Sequence, residues 1–418
     1  MSKLNVFFES IKVGELIRDK ELTYSFRYTS DWLKFDQNFQ LSLAMPLVET
    51  VFGNKTTLSF FENLLPEGEV REILNKERNL SGTFEFLKEF GEDCAGAVFI
   101  TTQEKIQKKA GDKTLVALEE VYKAVENKHS VAAIIAETNS GYLSLAGAQD
   151  KFPAIFEDGK LFLPAPGMPT THIVKVPIFR SGVKESVYNE LYCMKLANAC
   201  GLNTPHCFSI SDGKIPLFII ERYDRFLGND GRIHRIHQQD FCQAQGMTSE
   251  YKYEVKGGPS LKNNFELIKS NVGIKKRSEN IFSFLDWLCF NFLIGNNDSH
   301  SKNISFLLKS NKIELAPFYD LLCTAIYPKL KRQFAFKIGD SDDASRIGKN
   351  QFEMLDEQLG LRKGTVAERL LLMKAQLEKH GLVVANSLKE TYPEMKIAHR
   401  INDLIQDRCR SLERQGFN

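Results

Sequence analysis

Apolar and polar positions partly alternate along the first hundred residues. Val6, Phe7 and Phe8, then Thr23, Tyr24, Phe26 and Tyr28, are β-branched or aromatic, with Gly14 or charged turns between them. That stretch reads as mostly strand. FFENLLPEGEVREIL (60–74) predicts a turn followed by a helix, and GEDCAGAVFI (91–100) a buried strand entered through small residues. QEKIQKKAGDK (103–113) is charged and poor in apolar residues, as a linker is. KFPAIFED, a Gly159 turn and KLFLP predict a hairpin; THIVKVP (171–177) predicts a short strand ended by Pro177. In ESVYNELYCMKLANACG (185–201), Val187, Leu191 and Met194 share one helical face, and Gly201 stands at the C-cap position. LFIIERY (217–223) predicts another strand.

The period then changes. Ile281, Phe284, Leu285, Leu288 and Phe292 form one stripe of a helix over 278–295. NISFLLK and KIELAPF predict a second hairpin around Ser310-Asn311, and helical spacing dominates from Ala367 to the end. The chain is thus mixed, β-rich in front and helical behind.

Composition narrows the classes. A chain of 418 residues predicts two or three subdomains. With 55 basic against 53 acidic side chains, it carries no overall electrostatic footprint for nucleic acid. MSKLNVFFES lacks the pattern of a secretory leader, and the longest apolar segment, 281–294, is interrupted by Ser283, Asp286 and Asn291. A cytoplasmic protein with no membrane partner is expected. The eight cysteines form no Cys-x-x-Cys pair and read as reduced thiols near the core. Cys193, Cys200 and Cys207 recur every seven residues and His234 and His237 are three apart, but the pairs are unmatched and predict no zinc cage.

Chemistry concentrates in NNDSHSKN (296–303), between a strong helix and a hairpin. In phosphoryl transfer from ATP, a loop carboxylate accepts the proton of the incoming hydroxyl, and an amide five residues on coordinates Mg²⁺. Asp298 and Asn303 have that spacing, with His300 between them; Asp320 in FYDLL offers a second metal-binding carboxylate. As turn-forming types, Asp298 and Asn303 also fit a purely structural loop. Lys175 interrupts an apolar strand and could reach α- and β-phosphates, steadied by Glu190 or Glu185, with Glu190 nearer the helix middle. A lysine pointing outward from an edge strand is the plainer alternative. LAGAQDK (145–151) crowds Ala146, Gly147 and Ala148 ahead of Lys151; this is either a nest of amides for phosphate oxygens or a simple tight turn. Neither G-x-G-x-x-G nor a Walker motif is present. IIERYDR (219–225) could place Glu221 and Tyr223 beside adenine, or could be a strand end with a surface charge cluster.

In order, SLAGAQDKF, THIVKVP, NELYCMKLA, ERYDR, QQDFCQA, NNDSHSKN and APFYDLL resemble the HipA family of bacterial toxin kinases. FFENLLPEG and GEDCAGAV are similar to that family's N-terminal subdomain. The resemblance implies an α+β, two-lobed, protein-kinase-like fold. Its parts would be an accessory β-rich subdomain (1–105), a kinase N-lobe with a phosphate loop (106–224) and a helical C-lobe with the catalytic loop (225–418). It implies a serine/threonine protein kinase using ATP and Mg²⁺, with Asp298 as base, Asn303 and Asp320 on the metal, and Lys175 on the phosphates. Glu221 and Tyr223 would line the adenine site, and Ser144 would be autophosphorylated as a self-inactivating switch. The implied partners are a helix-turn-helix HipB-like antitoxin, operator DNA through that antitoxin, and a protein substrate such as an aminoacyl-tRNA synthetase. Asp150 stands where many relatives carry Glu, and Ser299 where a basic residue or Gly is common. The Asp-x-His-x-x-Asn order also resembles lipid kinases, so a lipid or small-molecule kinase stays open, as does a catalytically silent corepressor.

Overall fold

The computed structural model describes residues 1–106, 111–138, 146–165, 167–309 and 312–417. They form two compact units. The first comprises 1–177, 210–249 and 306–312; the second comprises 178–209, 250–305 and the rest of the chain from 313. The first unit therefore takes residues from both sides of position 224.

The first unit opens with an antiparallel sheet of order β3-β2-β1-β4, from β1 (Ser2–Phe8), β2 (Ile11–Arg18), β3 (Tyr24–Tyr28) and β4 (Val98–Thr101). Leu4, Val6, Val13, Leu16 and Phe26 make its core. Gly14 is needed for this packing, because a Cβ there would lie 2.3 Å from the Phe26 ring. The turn and helix expected over 60–74 are present, the helix running Gly68–Arg78. The expectation of mostly strand is corrected on either side of it, where helices Asn54–Phe61 and Thr83–Phe90 stand between β3 and β4. Their apolar residues recur at helical spacing (Phe84, Leu87 and Phe90 are buried on one), and β-branched residues are scarce.

The second sheet has the order β5-β7-β6-β8-β10, with a sixth strand outside β10. The strands are β5 (Thr114–Leu115), β6 (Lys151–Glu157), β7 (Lys160–Leu163), β8 (His172–Lys175), β9 (Cys207–Ser211, the outer strand) and β10 (Pro216–Glu221). The expected hairpin is β6–β7, turning at Gly159 with φ +74°. β8 lies between β6 and β10. This overturns the edge-strand alternative for Lys175, which is buried.

In the second unit, helix Ser186–Ala199 is buried on nearly every side, wider than the single face its spacing marked. It packs against the long helices Thr365–Thr391 and Ile397–Arg414. Helix Ile274–Ile294 begins four residues before the expected Ser278, because the one apolar residue of its first turn, Ile274, is exposed and off the buried stripe. All eight cysteines are buried and none forms a disulfide. Among the described residues, no helix is long and apolar enough to cross a membrane. Ser310 and Asn311, the expected turn between strands Ser305–Lys309 and Lys312–Leu315, lie outside the described residues.

Candidate active site

Helix Ile274–Ile294 ends at Gly295, whose φ of +73° turns the chain out of the helix. A Cβ at Gly295 would lie 2.7 Å from that of Ala325, so glycine is required twice over. The loop that follows is held by its own polar residues. Asn296 accepts from the Asp298 amide (3.1 Å) and donates to Asn291 (2.7 Å). The Asn297 amide donates to Thr324 Oγ1 (2.8 Å), which donates to the Gly295 carbonyl (3.1 Å). Ser299 Oγ donates to the Asn296 carbonyl (3.1 Å), and Ser301 pairs with Asn264. From Asn291 to Leu308 every residue is buried except Asp298. One carboxylate is thus left accessible on an otherwise enclosed, hydrogen-bonded loop.

Asn303 donates its Nδ2 to the Asp298 carbonyl (3.1 Å). This commits the amide nitrogen and leaves the oxygen, Oδ1, to serve as a hard ligand. The turn reading and the ligand reading therefore coexist in one side chain. His300 is buried and meets the Tyr253 ring edge-on, with centroids 5.1 Å apart. The Tyr253 hydroxyl donates to Asp298 Oδ1. Asp320 has φ +58°, a left-handed conformation uncommon for a non-glycine residue and typical of functional positions. Its neighbour Tyr319 donates to the Lys302 carbonyl (2.7 Å) and bonds the Ser305 hydroxyl (2.9 Å), which ties the Asp320 segment to the loop. Asn303 and Asp320 carry oxygen donors of the hard kind that Mg²⁺ takes.

The two glutamates weighed as partners for Lys175 differ in use. Glu185 Oε2 accepts from the Lys396 and Ile397 amides (2.8 and 3.0 Å), capping helix Ile397–Arg414. Glu190 is buried in the middle of helix Ser186–Ala199.

In the first unit, β6 and β8 set Lys151 directly opposite Lys175. Opposed residues of an antiparallel pair share a face of the sheet. Gly147 has φ +106°, and a Cβ on it would lie 2.7 Å from Lys151 Nζ. Its backbone bridges Pro66, and its carbonyl accepts from the Glu67 amide (3.0 Å). Ala146 is half-buried and Ala148 exposed. Gln149 Nε2 donates to the Val176 carbonyl (2.8 Å). Asp150 accepts from the Val131 and Ala132 amides (2.7 and 3.0 Å) at the start of helix Val131–Thr138. Burial pushes its carboxyl above the usual range against the pull of those donors. Ser144 and Leu145 lie outside the described residues.

The surface-cluster alternative for IIERYDR is overturned. Glu221 is exposed and Tyr223 donates to Gln238 Oε1, but Arg222, Asp224 and Arg225 are buried. Both arginines bond the fully buried Asp93, at 2.9 Å each, and Arg235 reaches it at 3.2 Å. GEDCAG and ERYDR thus form one ion network, and QQDFCQA adds polar ties. Gln239 accepts from the Leu43 amide (2.8 Å), and Gln243 donates to the Phe60 carbonyl (3.0 Å). Sequence reasoning did not single out Tyr253, nor the hydrogen bonds that Gln149 and Asp150 make to Val176, Val131 and Ala132. The paired glycines of YKYEVKGG were the one local signal for the first.

Comparison with known proteins identifies the family. Models of the HipA N-terminal domain and the HipA-like C-terminal domain match residues 4–101 and 143–380. The chain belongs to the HipA family. A Sinorhizobium fredii relative, Y4mE, named only provisionally as a kinase, is 33% identical over 406 residues, 96% of this chain and 95% of that one. The serine/threonine-protein kinase toxin HipA of Shewanella oneidensis is 30% identical over 386 residues, 88% of this chain and 86% of the relative. The solved complex of Shewanella oneidensis HipA with HipB and operator DNA superimposes with a TM-score of 0.82 at 25% identity, covering 97% of this chain and 96% of that one. This HipA-family member therefore has the two-lobed, kinase-like α+β fold and is a serine/threonine kinase.

Proposed function

We propose that this HipA-family kinase transfers the γ-phosphoryl group of ATP, with Mg²⁺, to serine or threonine hydroxyls of a protein substrate. The observation that carries the reading is Asp298, the one accessible residue of the buried loop, with Asn303 bonded back to its carbonyl. Asp298 accepts the proton of the acceptor hydroxyl as its oxygen bonds to phosphorus, and the bond to the bridging oxygen of ADP breaks. Asn303 Oδ1 and the Asp320 carboxylate would hold Mg²⁺, which when bound offsets the charge of the phosphates. Lys151 and Lys175 are opposed in register on one face of the sheet, from which both would reach phosphate oxygens, and Gly147 lets backbone amides approach the same anion. Glu190 is assigned to steady Lys175, His300 to the nucleotide side of the loop, and Glu221 and Tyr223 to adenine.

The kinase acts as the toxin of a HipBA-like pair, held by a helix-turn-helix antitoxin that carries it to operator DNA. Likeness to the Shewanella toxin and its solved complex supports this part. An aminoacyl-tRNA synthetase is the proposed substrate, and phosphate on Ser144 the self-inactivating mark. The test is phosphosite mass spectrometry of the purified protein with Mg-ATP beside Asp298→Asn. Loss of a general base predicts a fall of about 10²–10⁴-fold in phosphate incorporation. Equal incorporation in both proteins would remove Asp298 from the chemistry.

A further inference from the structure

The base proposed above does not stand alone. The turn Tyr251–Gly258 brings the Tyr253 hydroxyl onto Asp298 Oδ1. The turn is firmly built. Tyr253 accepts from the Lys256 and Gly258 amides (3.0 Å each), and residues 254–256 form one 3-10 turn closed by Gly257 at φ +83°. A Cβ at Gly258 would lie 1.8 Å from the Tyr251 carbonyl oxygen, so only glycine closes this turn. Glu254 accepts from the Lys337 amide (2.8 Å), which fixes the turn to the neighbouring strand. The phenol ring is fixed as well. The His300 ring meets it edge-on, with the planes at 85°, and Lys252 and Lys256 place their ammonium groups 5.6 and 5.9 Å from its centroid.

We infer that Tyr253 is a positioning residue for phosphoryl transfer. Its hydroxyl fixes the Asp298 carboxylate through Oδ1, so that Oδ2 is presented to the acceptor hydroxyl. A carboxylate on a single side-chain torsion is otherwise free to rotate, and a bond from a phenol to a charged oxygen is strong enough to select one orientation. Holding a reacting group at its attack geometry is worth large rate factors, and misplacement loses them without loss of substrate binding. The carboxylate keeps enough lone pairs to accept from the phenol and the substrate together. This inference rests on Asp298 being the base.

The experiment measures kcat and KM for ATP, with Mg-ATP and casein or the protein itself as acceptor, for the parent, Tyr253→Phe and Asp298→Asn. Tyr253→Phe keeps the ring and its His300 contact and removes only the hydroxyl. Its kcat should fall about tenfold, with KM for ATP and the melting temperature unchanged. With ¹³C placed at the tyrosine ζ carbons, one resonance, absent from Tyr253→Phe, should shift in Asp298→Asn, reporting the contact without reference to activity. A raised kcat in Tyr253→Phe would overturn the inference and make the turn an inhibitory cover. An unchanged kcat would overturn it too, as would a fall in kcat matched by a rise in KM and a lower melting temperature. If Asp298→Asn keeps the parent rate, the assignment of the base itself fails. If Asp298→Asn is dead and Tyr253→Phe is not slowed, only the role of Tyr253 falls.

Discussion

Asp93→Ala is the substitution that most sharply tests the fold. Asp93 is fully buried and bonds Arg222, Arg225 and Arg235 as well as the Thr170 hydroxyl. Burial pushes its carboxyl up, but the three guanidiniums and the hydroxyl hold it well below the usual range. Asp224 is the second carboxylate of the cluster, bonding Arg222 and Arg225 at 3.0 and 2.9 Å. Three cations therefore face two anions, and removal of Asp93 leaves three facing one. Burial lowers Arg225 to about 10 even with both carboxylates present, and its neighbour Arg222 adds to that. Breaking a buried pair by deleting one partner costs about 3–5 kcal/mol, because the remaining charge is stranded. At about 2–4 °C per kcal/mol for a unit of this size, the melting midpoint should drop by about 10 °C. Asp93→Asn keeps one acceptor oxygen and should lose about half as much. The assay is urea and thermal unfolding followed by fluorescence, with Glu126→Ala as reference for an exposed contact (Glu126 to Lys214, 3.9 Å). If Asp93→Ala moves the midpoint no further than the reference does, the buried network is not what joins GEDCAG to ERYDR.

Two further outcomes follow from the same unit. His237 is buried neutral: Nε2 donates to the Leu41 carbonyl (2.9 Å) and Nδ1 accepts from the Ala97 amide (3.4 Å), while burial lowers it to about 4 against the pull of Leu41 and Asp224. The unfolded imidazole takes up a proton below about 6.5, so its contribution is full above that pH and is lost between 6.5 and 4, on the order of 3 kcal/mol; urea midpoints should show that slope, and His237→Gln should flatten it. Gly147→Ala puts a side chain at φ +106°, which costs about 1–3 kcal/mol in the loop and should lower the unfolding midpoint by about 2–12 °C; KM for ATP should rise about tenfold, and an unchanged KM would separate this loop from nucleotide binding.

What could be read from the sequence was local. The β6–β7 hairpin, helix Ser186–Ala199 and the loop after helix Ile274–Ile294 each carry their signals within twenty or so residues: turn glycine, helical spacing, polar cluster. The spacing of Asp298 and Asn303 was visible; that the intervening residues are buried and Asp298 is not depends on Asn264 and Thr324, remote in sequence. Arg222 and Asp93 are 129 positions apart, and no periodicity links them, so a buried pair reads as a surface cluster. Tyr253 precedes Asp298 by 45 positions, and nothing local marks its hydroxyl as aimed there. Helices Asn54–Phe61 and Thr83–Phe90 were obscured for a different reason, since aromatic residues serve strands and helices alike and only their spacing separates the two.

The same long-range contacts give the first hundred residues a reason to be part of a kinase. FFENLLPEG ends on the Gly147 backbone: Pro66 bridges it and the Glu67 amide bonds its carbonyl. GEDCAG ends on Arg222 and Arg225, directly after the strand that pairs with the Lys175 strand. Glu62 anchors the first of these motifs by accepting from the Ser249 amide (3.1 Å) and hydroxyl (2.8 Å). The Gly147 turn and the segment that follows β10 are thus each bonded to residues that precede position 101. Glycine takes φ +106° without the penalty a side chain would meet, so the place of the Gly147 carbonyl is set by the contacts made to it. Loosening the N-terminal domain should therefore loosen the Gly147 turn to which Pro66 and Glu67 are bonded.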